Sequence, residues 1–152
     1  QIIKSLDQKG LQGENKDGMD MALCKYDPKK GTVQYSGAYN PLIHISKNQI
    51  NQLKGDSQPV GLHTGKKLSF TSKEIEVAKG DMLYIYSDGF PDQFGGDKGK
   101  KYLSGKFKKF LLSISDKPID EQNTLIKAEF TNWIGDHEQI DDVCVMGVRI
   151  TC

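Results

Sequence analysis

The sequence predicts an α+β fold built mainly of antiparallel strands, with two helices late in the chain. Three observations predict it. Short apolar or alternating runs separated by turn residues fill the region from Met19 to Tyr86. Two stretches with apolar residues at helical spacing follow, between Phe107 and Ile134. A last apolar run, Val143 to Ile150, returns to strand character.

Taken in order, Ile2, Ile3, Leu6 and Leu11 read as the end of a helix, broken by Gly10 and Gly13, with a polar loop to Asp17. Met19 to Tyr26 and Thr32 to Tyr39 form a hairpin about the turn Asp27-Pro28-Lys29-Lys30-Gly31. Pro41 to Ser46 is a third short strand, and a polar stretch runs on to Gln58 and Pro59-Val60-Gly61. Lys67 to Val77 alternates like a strand. Ala78-Lys79-Gly80-Asp81 turns into Met82-Leu83-Tyr84-Ile85-Tyr86, whose near-continuous apolar character marks a central strand. A Gly/Lys-rich loop spans Gly95 to Lys101. Phe107, Phe110, Leu111 and Ile114 then share a helix face. Asp116-Lys117-Pro118 interrupts it, and Leu125, Ile126, Phe130, Trp133 and Ile134 line a second helix from Ile119 to Ile134.

The chain has 152 residues, a length suited to one domain, and 36% hydrophobic against 27% charged residues, which excludes a disordered chain. Lys+Arg is 21 and Asp+Glu is 20, so no global field favours nucleic acid or an anionic membrane. Arg149 is the one arginine, which leaves the chain poor in bidentate anion clamps. No apolar run is long enough for a membrane span, and no leader-like segment opens the chain, which begins Gln1-Ile2-Ile3 as if cut from something longer. Cys24, Cys144 and Cys152 are too few and too scattered for a disulfide framework or a zinc site. Cys24 and Cys144 are expected to be buried free thiols, and the compartment reducing and cytoplasmic.

Two places carry chemistry. In Tyr86-Ser87-Asp88-Gly89-Phe90-Pro91-Asp92, an apolar strand delivers Asp88 at its end, and Gly89 allows a sharp turn there. Asp92 shares that space if the turn opens a short helix. In Gln139-Ile140-Asp141-Asp142-Val143, paired aspartates precede the last strand. Oxygen-only ligands at strand ends suit hard cations such as Mg²⁺ or Mn²⁺, and no His/Cys cluster argues for zinc. Each motif alone has an ordinary reading, as a turn or a solvated cap.

Together with Asp17-Gly18-Met19-Asp20-Met21-Ala22-Leu23, Tyr35-Ser36-Gly37-Ala38-Tyr39-Asn40-Pro41-Leu42, Pro59-Val60-Gly61 and Lys79-Gly80-Asp81, these motifs resemble, in order and spacing, the SpoIIE/RsbU branch of the type 2C metal-dependent protein serine/threonine phosphatases. The resemblance runs from about residue 15 to 150. It implies an αββα sandwich of antiparallel sheets and hydrolysis of phosphoserine or phosphothreonine on a protein by water bridging two Mn²⁺ or Mg²⁺ ions. It implies that Asp88 and Asp141 are catalytic metal ligands, with Asp142 the runner-up to Asp141. Gly89 would let the backbone approach the metals. Asp92 matches an acid that helps to hold a third metal in related phosphatases, although Ala38 stands in place of its usual partner acid.

The family's earliest motifs, a Gly-Asp acid and an Asp-x-x-Gly-His-Gly segment, are not found. Residues 1–152 are therefore expected to be the C-terminal two thirds to three quarters of one such domain, incomplete at its N-terminal side. Such a chain is expected to be impaired as a phosphatase and to dimerise, by strand exchange, or be unstable. The resemblance implies the output domain of a bacterial signalling protein acting on a phosphorylated STAS-fold anti-anti-sigma factor, with no nucleic-acid or membrane contact.

The rival reading is a pseudophosphatase or regulatory module that binds a phosphoprotein without hydrolysing it. A phosphohydrolase using Asp88 as nucleophile would want a further Asp at position 90, which is Phe90. His44, His63 and His137 read as packed or surface residues, Trp133 as core, and Arg149 as no phosphate clamp. The lysine run from Lys98 to Lys109 reads as a solvated face beside the site mouth, able to guide an anionic phosphoprotein.

Overall fold

The computed structural model describes residues 18–61 and 69–152. The expected N-terminal helix, the loop to Asp17 and His63 lie outside the described residues. In chain order the elements are β1 Gly18–Met19, β2 Met21–Asp27, β3 Thr32–Ala38, β4 Leu42–Ser46, β5 Gln49–Leu53, β6 Val60–Gly61, β7 Lys73–Glu76, β8 Met82–Tyr86, α1 Gly89–Asp92, β9 Phe94–Gly95, β10 Lys100–Lys101, α2 Ser104–Ile114, α3 Ile119–Ile134 and β11 Val145–Arg149.

Contacts gather into two units. The first takes the described parts of Gln1–Leu42 and Leu53–Glu76. It carries the three-stranded antiparallel sheet β2-β3-β7 and the small pair β1-β6. The β2–β3 turn forms as expected. Asp27 Oδ1 accepts from the amides of Lys29 and Lys30 at 3.0 and 3.2 Å, and Gly31 takes the left-handed conformation that closes the turn. Val33 and Tyr35 alternate onto one buried face of β3, and Ala38, Leu42 and Leu53 are buried in the same unit.

The second unit, Ile43–Gln52 and Val77–Cys152, carries the sheet β11-β8-β4-β5 and the three helices found among the described residues. The polar stretch after Ser46 hides β5. Lys47 and Asn48 both adopt positive φ, 48° and 59°, which makes the two-residue turn whose twist suits a hairpin. The Gly/Lys-rich loop likewise contains the antiparallel pair β9–β10. Apolar character places β8 in the sheet interior, and its side chains meet Ile43, Ile45, Phe90, Tyr102, Phe107 and Leu111 in one core. The Phe90 ring centre lies 4.5 Å from that of Phe107 and 5.0 Å from that of Phe130. Each such buried side chain is worth about 1.5–3 kcal/mol.

α3 spans the expected residues, but its apolar face is only half-buried. Its one fully buried side chain is polar. Gln122 accepts from Tyr84 Oη at 2.6 Å and donates to the Lys117 carbonyl at 2.8 Å. Cys24 and Cys144 are exposed, a correction to the expectation of buried thiols: Cys24 shares a sheet face with buried Tyr35 but lies on β2, where that face is left open, and Cys144 precedes β11. Among the described residues no helix is long and apolar enough to cross a membrane.

Candidate metal centre

The site lies in the second unit, where β8 and β11 run antiparallel with Tyr86 opposite Val145. Buried β8 carries the chain to Ser87, and Asp88 emerges exposed at the N-terminus of α1. The Asp92 amide donates to the Asp88 carbonyl at 2.9 Å, so the short helical turn expected after Gly89 forms. Gly89 is required for closeness, not for a left-handed turn. A Cβ there would collide with the Asp142 carbonyl oxygen and stand 3.0 Å from its carbon. The chain turns from strand to helix at Gly89, and the close approach to Asp142 is the reason that glycine is needed there.

Ser87 joins the two acidic segments. Its amide donates to the Cys144 carbonyl at 3.0 Å, and its hydroxyl accepts from the Cys144 amide and donates to the Asp142 carbonyl, both at 2.9 Å. Pairing thus continues past the strand ends and fixes Asp142 against Gly89. Asp141 Oδ1 accepts from the Asp142 amide at 2.7 Å, and Gln139 Nε2 donates to the Asp141 carbonyl at 2.8 Å. The segment before the aspartates is held by Gln93, which is fully buried. Its Nε2 donates to the Glu138 carbonyl at 2.8 Å, and its Oε1 accepts from the Ile140 amide at 3.4 Å. Trp133, half-buried against the core as expected, also donates to the Gln93 carbonyl at 2.9 Å.

The structure therefore holds the Asp88–Gly89 turn against the Asp141–Asp142 segment, with the contact made by Ser87 and Gly89 on the Asp142 backbone. Asp88, Asp141 and Asp142 are exposed. Asp92 is engaged elsewhere: Lys101 Nζ lies 2.8 Å from its Oδ2. Among the described residues no group of three or more His, Cys, Asp or Glu side chains is gathered as a metal site. The donors present are carboxylate and carbonyl oxygens, which fit a hard divalent cation, but they make only part of a ligand set.

Ser87 and Gln93 were missed by sequence reasoning. The Ser in Ser-Asp-Gly could have been flagged by its fixed place at the strand end, whereas nothing in the sequence marks Gln93. His44 is no ligand here. It is buried, with Nε2 2.7 Å from Asp81 Oδ2. Arg149 binds the carbonyls of Ser115 and Lys117 at 2.8 and 2.6 Å, so it staples backbone instead of clamping phosphate.

The sequence model for stage II sporulation protein E (SpoIIE) matches residues 1–151. The chain belongs to the SpoIIE family. No curated protein matches it. Among solved structures, this SpoIIE-family chain is similar to the SiaA-PP2C domain of Pseudomonas aeruginosa, with a TM-score of 0.79 and 28% identity over 86% of the chain and 51% of that domain. It is similar in fold to the SpoIIE phosphatase domain of Bacillus subtilis, soaked with Mn, with a TM-score of 0.64 and 16% identity over 87% of the chain and 56% of that one. The RsbU and RsbW domains of a Mycobacterium tuberculosis protein match at a TM-score of 0.67 and 18% identity, over 98% of the chain and 42% of theirs. The fold is thus α+β of the PP2C phosphatase type. The chain spans about half the length of the first two domains.

Proposed function

We propose that this chain is part of a metal-dependent protein serine/threonine phosphatase domain of a bacterial signalling protein, with residues 1–152 all within that one domain. The observation that carries the reading is the Ser87 bridge, which holds the Asp88–Gly89 turn against the Asp141–Asp142 segment. Asp88 and Asp141 would hold Mn²⁺ or Mg²⁺, two ions in the complete domain, with Asp142 and the Gly89 backbone beside them and Asp92 at the margin. Bound there, the cations would supply a polarised water and neutralise phosphate oxygens. The chain's own contribution is to keep these carboxylates exposed and fixed. Ser87 bonds the backbone on either side of Val143, and Gly89 leaves room for the Asp142 carbonyl. The proposed substrate is a phosphorylated regulatory protein, such as a STAS-fold anti-anti-sigma factor, in the cytoplasm.

A second reading, a non-catalytic phosphoprotein-binding module, is favoured by one observation: two carboxylate segments alone do not assemble three ligands among the described residues. On the same ground we propose that these 152 residues alone are impaired in hydrolysis. Mn²⁺ titration calorimetry separates the readings, since tight binding of two ions supports the enzyme and no binding supports the module. Mn²⁺-dependent hydrolysis of a phosphoserine peptide by the 152 residues, abolished by Asp88→Asn, would overturn the impairment while supporting the phosphatase.

A further inference from the structure

Immediately beyond α1 the chain builds a hairpin that serves no internal purpose on one of its sides. Phe94 pairs with Lys101 and Gly95 with Lys100. The Tyr102 amide then donates to the Gln93 carbonyl at 3.0 Å, and the Leu103 amide to the Pro91 carbonyl at 2.7 Å, carrying the two-stranded arrangement back toward Asp92. Alternate residues of such a ribbon face opposite ways. Gln93, Gly95 and Tyr102 are buried against the core. The other set points outward, with Phe94 40% and Leu103 61% exposed. Between them lies the Lys101–Asp92 ion pair, with Lys101 Nζ 5.9 Å from the Phe94 ring centre.

Leu103 is the telling residue. It holds φ 76° and ψ 138°, a conformation that costs a non-glycine residue about 1–3 kcal/mol, and its side chain is solvated. Neither backbone nor packing favours a leucine there, so its apolar side chain has its use outside the molecule. The surroundings are basic. Residues 93–109 hold six lysines against one acid, Asp97. Lys98 and Lys100 have no partner among the described residues, while Lys106 is spent on the Trp133 ring at 3.9 Å and on Glu129 at 3.8 Å.

We propose that this outward face, Phe94, Lys101 and Leu103 with Lys98 at the hairpin tip, is a docking surface for an acidic protein segment carrying apolar anchors. It adjoins the Asp88 turn through α1, so a segment seated on it would present a phosphoserine to the acidic end of β8. That last step rests on the phosphatase reading, and the docking itself does not.

The test is anisotropy of a labelled phosphoserine peptide rich in Leu and Glu, without added metal, against a twin with Lys for Glu. The acidic peptide binds the wild-type chain more tightly than its twin. Phe94→Ser and Leu103→Ser each weaken it about tenfold. Lys98→Glu slows association and flattens its salt dependence. Circular dichroism is unchanged in these variants; Leu103→Ser, at the more exposed side chain, also melts like the wild type, and Phe94→Ser is compared with it below its own melting transition. Absent binding, equal binding of the twins, or equal binding by wild type and the double serine variant overturns the surface. So does loss confined to vesicles of phosphatidylserine and phosphatidylcholine, which would make the face a membrane contact. Peptide binding with the stated losses supports the surface even where no p-nitrophenyl phosphate is hydrolysed with Mn²⁺, an outcome that overturns the phosphatase reading alone.

Discussion

β8 has an aspartate beside each end, and the two are treated oppositely. Asp81, just before the strand, is buried. It accepts from the Ala78 amide at 3.0 Å and is bonded to the His44 ring at 2.7 Å. The backbone beside it is closed as well, with the Ile150 amide donating to the Asp81 carbonyl at 2.9 Å. Asp88, just past the strand, is exposed, and its carboxylate has no partner among the described residues. At the first end the buried acid, its histidine and the adjoining backbone are all bonded inside the fold. At the second the backbone is tied down by Ser87 while the Asp88 carboxylate is left without a partner among the described residues and the Asp141 carboxylate holds only the neighbouring Asp142 amide. A fold that stabilises itself at one end of a strand can hold unsatisfied groups ready at the other, which is what a ligand site requires.

The largest effect on stability is expected at the satisfied end. His44→Ala strips a buried partner from Asp81 and costs about 2–3 kcal/mol, lowering Tm by roughly 6 °C or more. Asp81→Asn tests the same pair through pH. Burial works against the Asp81 carboxylate, but the Ala78 amide, the His44 ring and the Ser46 hydroxyl outweigh it and hold the carboxyl below its ordinary 3.8. A carboxyl whose folded pKa is depressed adds stability above its unfolded pKa and loses it as pH falls through the folded value. The wild-type Tm therefore drops in the acid range below about pH 4, and Asp81→Asn removes that part of the drop. An unchanged acid limb in thermal melts of the variant would break the comparison.

The two ends differ in legibility too. Asp88 and the Asp141–Asp142 pair could be read from the sequence because an apolar run followed by Ser-Asp-Gly locates a strand end, and a strand end is where a carboxylate is displayed. Strand β8 was legible from its near-continuous apolar run, and helix α3 from a long stretch with a clear period. Asp81 was not legible as a buried acid, since Gly80-Asp81 reads as a turn and its partner His44 lies far away in the chain. Gln93 and Gln122 were missed because a buried glutamine has no pattern; only the three-dimensional set of carbonyls around it explains it. The β4–β5 hairpin was hidden by polar residues, and Cys24 and Cys144 were misjudged because burial depends on which face of a strand is covered.

At the open end, smaller stability effects should come with larger effects on metal binding. Gly89→Ala drives a methyl into the Asp142 carbonyl, so the two segments must part. It is expected to cost about 1–3 kcal/mol in denaturant melts and to weaken Mn²⁺ binding in calorimetry. Ser87→Ala removes the hydroxyl bridge alone, at about 1 kcal/mol, and weakens Mn²⁺ binding about tenfold through misplacement of Asp141. A Ser87→Ala chain that binds Mn²⁺ like wild type would show that backbone pairing suffices to place the acids.

The smallest effect on stability, and the sharpest contrast with Asp81, is expected at Asp88. Asp88→Asn keeps shape and volume, breaks no hydrogen bond among the described residues, and lowers the negative charge beside Asp141 and Asp142. Its Tm should match the wild type within about 1 °C, or rise slightly, in metal-free buffer. Adding Mn²⁺ should raise the wild-type Tm by mass action and leave the variant's unmoved. That pairing of outcomes separates a carboxylate held for a ligand from one held for the fold. If Asp88→Asn instead melts several degrees lower without metal, Asp88 serves the structure as Asp81 does, and the two ends of β8 differ only in exposure.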